Sequence, residues 1–100
     1  MVKHNHFTEW LLGTNYEWLK IQMQDLLIKT KIEILDFTES EEKKGASGVW
    51  IIPRGSLALH TFPYRDRTFV EFSSFDHKKY LDFLINFKDF RQDNFGQIKI

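Results

Sequence analysis

The sequence contains no cysteine. Disulfide staples, a thiolate nucleophile and any zinc site built on sulfur are excluded by that absence, and the composition fits a reducing compartment. Net charge is also missing, because fourteen Lys and Arg cancel fourteen Asp and Glu. The basic footprint of a nucleic-acid binder is therefore not expected. No apolar run approaches the ~20 residues of a membrane span. The opening Met1-Val2-Lys3-His4-Asn5-His6 has neither the apolar core nor the small-residue cleavage site of a secretory signal, so the cytoplasm is the expected location. Internal repeats and low-complexity tracts are absent too.

What the chain does have is material for a core. It is 42% hydrophobic and 16% aromatic, with ten Phe and three Trp, which argues against disorder. Its length suits one domain, read as residues 1–100. Residues 6–12 mix β-branched and aromatic side chains and stop at Gly13, the pattern of a strand. Thr14 or Asn15 can cap a helix running to about Thr30, with Leu19, Met23, Leu26 and Leu27 on one face. Residues 32–38 read as a second strand and the charged stretch 39–44 as a solvated loop.

Two further strands, 48–52 and 57–62, are separated by Pro53-Arg54-Gly55-Ser56, strong turn punctuation. Residues 68–73 add another strand. Asp76 can cap a second helix carrying Tyr80, Phe83, Leu84 and Phe87 at helical spacing, and Ile98 and Ile100 alternate as in a short edge strand. The order β-α-β-β-β-β-α implies an α/β (α+β) two-layer sandwich: an antiparallel sheet with both helices on one face. Val49-Trp50-Ile51-Ile52, Leu57-Ala58-Leu59 and Phe69-Val70 are apolar on both faces. Two helices cover only one, so the other is expected to be an interface, with a second copy or a related subunit. Such a layout says little about function.

The stretch Gly45-Ala46-Ser47-Gly48-Val49-Trp50-Ile51-Ile52, followed by Leu57-Ala58-Leu59-His60-Thr61-Phe62-Pro63, resembles the core of the short bacterial and archaeal S-adenosylmethionine decarboxylases. Those enzymes carry a Gly-x-Ser-Gly strand, a Glu-Ser-His turn and a His-Thr-Trp-Pro-Glu strand end. The first strand also matches, with His6 seven residues before Gly13. In that family the turn serine attacks the carbonyl of the preceding glutamate, the ester eliminates, and the new amino terminus becomes a pyruvoyl group. Its ketone forms a Schiff base with substrate and accepts electrons as carbon dioxide leaves. The resemblance also implies pairing through the sheet.

Laid on without gaps, the motif puts Arg54 at the glutamate and Gly55 at the serine. Glycine has no hydroxyl and cannot start the acyl shift. Ser56 falls on the family's histidine. The two processing helpers are kept as Ser47 and His60. Other functional positions differ. Tyr64 stands where a glutamate holds the ribose hydroxyls, and Glu41 where an aromatic stacks on adenine. Ser74 stands where a cysteine donates a proton, after a one-residue gap. A hydroxyl is a far weaker proton donor than a thiol near neutral pH.

The expected function is accordingly that of a non-processing homologue without a cofactor. It would be a regulatory subunit or one that binds an adenosyl compound or amino acid. The alternative is an active decarboxylase of spermidine synthesis whose pyruvoyl group forms at Ser56. That one-residue slip shortens the separation from His60 from five residues to four, which flips side-chain parity in a strand. A third reading gives His60 acid–base chemistry on another small molecule, against its being simply a hydrogen-bonded strand histidine. His4 and His6 could share a metal but have no third ligand nearby in sequence. Arg54, Arg65 and Arg67 are read as clustered near the pocket mouth, able to receive a carboxylate or phosphate, or as plain loop cations. Trp10, Trp18 and Trp50 are core or interface residues.

Overall fold

A computed structural model describes residues 4–95. The elements are β1 (Asn5–Leu12), α1 (Tyr16–Lys29), β2 (Asp36–Glu42), β3 (Gly45–Ile52), β4 (Gly55–Phe62), a 3-10 turn (Pro63–Arg65), β5 (Arg67–Ser74) and α2 (His77–Phe95). The strands form one antiparallel sheet in the order β1-β5-β4-β3-β2. β2 through β5 form a meander of hairpins. β1 docks beside β5, and α1 carries the chain from that edge to the opposite one. The α+β architecture with an antiparallel sheet and two helices is the one expected from the sequence.

Local chemistry sets the helix ends. Asn15 Oδ1 accepts from the Trp18 amide at 3.2 Å, and Asp76 Oδ1 accepts from the Lys79 amide at 3.1 Å, each satisfying a first-turn donor. Leu19, Met23, Leu26 and Leu27 of α1 are buried as the spacing predicted. In α2, Phe83 and Phe87 are buried, Tyr80 packs against the core and Phe90 joins it. Leu84 stays half-buried. Both helices rest on one sheet face, formed by alternate residues such as Leu11, Trp50, Leu57, Leu59, Val70 and Phe72. The Phe72 and Phe83 rings stack across this boundary with centroids 4.1 Å apart.

Two expectations need correction. The second strand is Asp36–Glu42 rather than 32–38, so most of the charged stretch is strand and only Lys43-Lys44 turns. As an edge strand, β2 pairs on one side only among the described residues and leaves Asp36, Glu39 and Glu41 exposed, which alternation rules do not anticipate. Ile32 is buried and Ile34 packs on the core from the connection before it. Likewise the hairpin turn is Pro53-Arg54 alone. Gly55 and Ser56 already pair with Ile52 and Ile51 in the ladder, and the turn's left-handed residue is Arg54, at φ 64°. The proposed strand at Ile98 and Ile100 lies outside the described residues.

Candidate functional site

The sheet face away from the helices is read directly from the register. Trp10, Phe69, His60, Ser47 and Ser40 oppose one another in turn across all five strands. At the centre of this row, His60 Nδ1 lies 2.9 Å from Ser47 Oγ, a hydrogen bond whose direction depends on the tautomer. A 240 Å³ cleft lies over the pair, with Ser40, Lys44 and Phe62 also on its walls. Aromatic rings continue the face on the β5 side: Trp10 lies 4.9 Å from Phe69 and 5.7 Å from Phe62 between centroids. The site thus offers an imidazole, a hydroxyl and an ammonium group beside a half-exposed aromatic shelf.

Ser47 is also held from the helix side. The Tyr16 hydroxyl donates to Glu39 Oε2 at 2.7 Å and to the Ser47 carbonyl at 3.3 Å, and Lys20 Nζ donates to Glu39 at 3.2 Å. Gly48 makes room for this, since a Cβ there would come within 2.7 Å of the Tyr16 oxygen and 3.2 Å of the Phe37 ring. Burial first, then the bond to Glu39 and the surrounding carboxylates, push the Tyr16 hydroxyl above its ordinary range. The Tyr16 bond and then the Lys20 bond hold the Glu39 carboxyl below the usual value. Bonds to Glu17 and Glu39 hold Lys20 more firmly protonated. The Ser-Gly step thus serves as scaffold for Tyr16 on one face and places a hydroxyl in hydrogen-bond contact with His60 on the other.

The remaining candidates do not converge on His60 within one chain. Gly55 lies five residues along β4, roughly 16 Å away, and opposes Ser74. Ser74 is buried on the helix side, where its hydroxyl accepts from the Asp76 amide at 3.0 Å and shapes the entry to α2. Ser56 shares the open face with His60 but points at Ser73, with the two hydroxyl oxygens 3.5 Å apart. Glu41 opposes Ala46 on the edge, one residue out of phase with Ser40. Tyr64 is 71% exposed in the 3-10 turn, edge-on to Phe62, with Arg65 over its ring at 5.6 Å. Arg54 sits at the opposite end of β4 from Arg65 and Arg67, so the three arginines form no cluster.

Sequence reasoning missed Ser40 and Lys44, and named Trp10 and Phe69 only as core or interface residues. The signal lay in the Lys43-Lys44 turn, which puts Ser40 opposite Ser47 once β2 is recognised as a strand. A scan against protein-family models finds no match, and a search of curated proteins finds none either. His4 and His6 stack with ring centroids 6.1 Å apart, while His6 Nε2 lies 3.1 Å from Glu71. No group of three or more His, Cys, Asp or Glu placed to hold a metal occurs among the described residues, and no helix among them is long and apolar enough to cross a membrane.

Proposed function

We propose that this chain is a non-processing relative of the S-adenosylmethionine decarboxylases, with the decarboxylase-like fold, that acts as a small-molecule-binding or regulatory subunit. The observation that carries this reading is the setting of Gly55. A Cβ there would collide with the Ser73 carbonyl oxygen and lie 2.9 Å from Ser74 Cα. The position aligned with the family's serine therefore lacks a hydroxyl and also lacks room for any side chain while β4 and β5 stay paired. Ser56 is a poor substitute, because it lies in regular ladder between Ile51 and Ser73 and the turn's unusual backbone is at Arg54, two residues earlier.

Binding is assigned to the His60–Ser47 cleft, where Lys44 can meet an anionic group and Phe62 a planar one. A second copy, or a related active subunit, is assigned to the open face. Denaturing mass spectrometry of the purified protein tests the first part. One species near 12.0 kDa is expected; two fragments divided at residue 55 or 56, the second bearing a ketone, would overturn the reading. Thermal shift with S-adenosylmethionine, its nucleoside fragments and free amino acids tests the second. A ligand should raise the melting temperature of the unaltered chain and not that of His60→Ala.

A further inference from the structure

A second concave site lies on the other side of the molecule, where α1 ends and α2 begins. Lys29 and Lys31 come from the end of α1, Lys78 and Lys79 from the first turn of α2, and together they line a cleft of 360 Å³. One carboxylate, Asp82, shares it, 3.7 Å from Lys78 Nζ. The whole chain is neutral, so this concentration of ammonium groups is a local feature and does not follow from composition.

Helix capping accounts for part of the cluster and leaves the rest. The last carbonyls of α1 attract a cation, and Lys79 answers them, donating from Nζ to the Thr30 and Lys31 carbonyls at 3.1 Å each. Lys29 and Lys31 have no ion-pair partner among the described residues. Lys78 stands in the first turn of α2, which carries no acidic residue, at the helix end where a positive charge is disfavoured. The floor is fixed: Thr30 Oγ1 donates to the Leu26 carbonyl at 2.6 Å and accepts from Asn86 Nδ2 at 3.2 Å.

We propose that this cleft binds a small phosphorylated ligand through the Lys29, Lys31 and Lys78 ammonium groups. A dianionic phosphate presents several oxygens to several point charges, which one carboxylate cannot do. The cleft's size suits a phosphate with a small organic body. The site is separate from the His60 face, and its assignment does not depend on that reading.

Amide chemical shifts of the full chain, recorded during titration with glycerol 3-phosphate, test it. The pH is held at about 7.5, above the ~6 of a phosphomonoester's second ionisation. Saturable shifts are expected at residues 29–31 and 77–79, with sodium acetate at matched ionic strength giving none. Lys31→Gln combined with Lys78→Gln should weaken binding roughly fivefold or more with an unchanged melting temperature; Lys79 is left in place because it holds α1. If that double variant unfolds, Lys78→Gln alone should still weaken binding. Linear unsaturable drift, equal shifts with acetate, shifts centred elsewhere, or unchanged affinity in a folded variant would overturn the proposal.

Discussion

The Tyr16 hydroxyl and the Glu39 carboxylate share a 2.7 Å hydrogen bond that ties the first turn of α1 to the edge strand. Because Glu39 titrates below its ordinary value when folded, its contribution to stability is complete above the ordinary carboxylate pKa of ~4.3 and is lost as pH falls below it. Tyr16 has the opposite sign. Its raised folded value makes a contribution that is complete below about pH 10 and lost as pH rises beyond it. Melting curves from acid to alkali should show Glu39→Gln flattening the acid side and Tyr16→Phe the alkaline side. Unchanged slopes in both variants would contradict the network.

Gly55→Ser should not produce self-cleavage and should destabilise the fold. Overpacking a tight site costs typically ~1–3 kcal/mol, or about 4–8 °C of melting temperature per kcal/mol in a domain this small. Gly55→Ala should cost a similar amount, whereas Ser56→Ala next to it should cost little. A Gly55→Ser protein that melts with the unaltered chain, or that splits, would show the space to be available.

The face away from the helices should pair two copies. It exposes Leu12 and Ile51 by 46% and 42%, with half-buried Trp10, Val49, Phe62 and Phe69 between them. Five strands ~4.8 Å apart and seven residues at ~3.3 Å give a face on the order of 500 Å², below the ~800 Å² per partner of a standard interface. Light scattering should therefore report a dimer at high micromolar concentration that dissociates on dilution. Ile51→Lys with Phe69→Lys should give a monomer of normal fold. A dimer that survives both changes would place the contact elsewhere.

Phe83→Ala should remove the ring stacked on Phe72 from a fully buried position. Such truncations cost ~3–5 kcal/mol, a large share of the ~5–15 kcal/mol that holds a domain together. Urea unfolding should show a much lower midpoint with a similar slope, and a loss under ~1 kcal/mol would contradict the packing described.

The elements were legible where one principle dominated. Leu19, Met23, Leu26 and Leu27 announced a helix by spacing alone, and Asp76 announced a helix start by chemistry, whereas Thr14 and Asn15 were equal candidates until the Asn15 side chain proved to be the cap. β2 was not legible because its strand state comes from β3 beside it; nothing apolar in Thr38-Glu39-Ser40-Glu41 demands it. The resemblance singled out Ser47 and His60 without joining them; the β3–β4 register sets them opposite one another, 2.9 Å apart. Trp10 and Phe69 belong to strands fifty-odd residues apart in the chain, and only the docking of β1 on β5 brings them to that row.

The charges of β2 bear on how large an assembly this protein can make. Asp36, Glu39 and Glu41 line a strand whose outer edge has no neighbour among the described residues. Two copies meeting there in antiparallel fashion would bring carboxylates opposite one another, which opposes pairing. Lateral growth into a ribbon or filament is therefore discouraged at that edge.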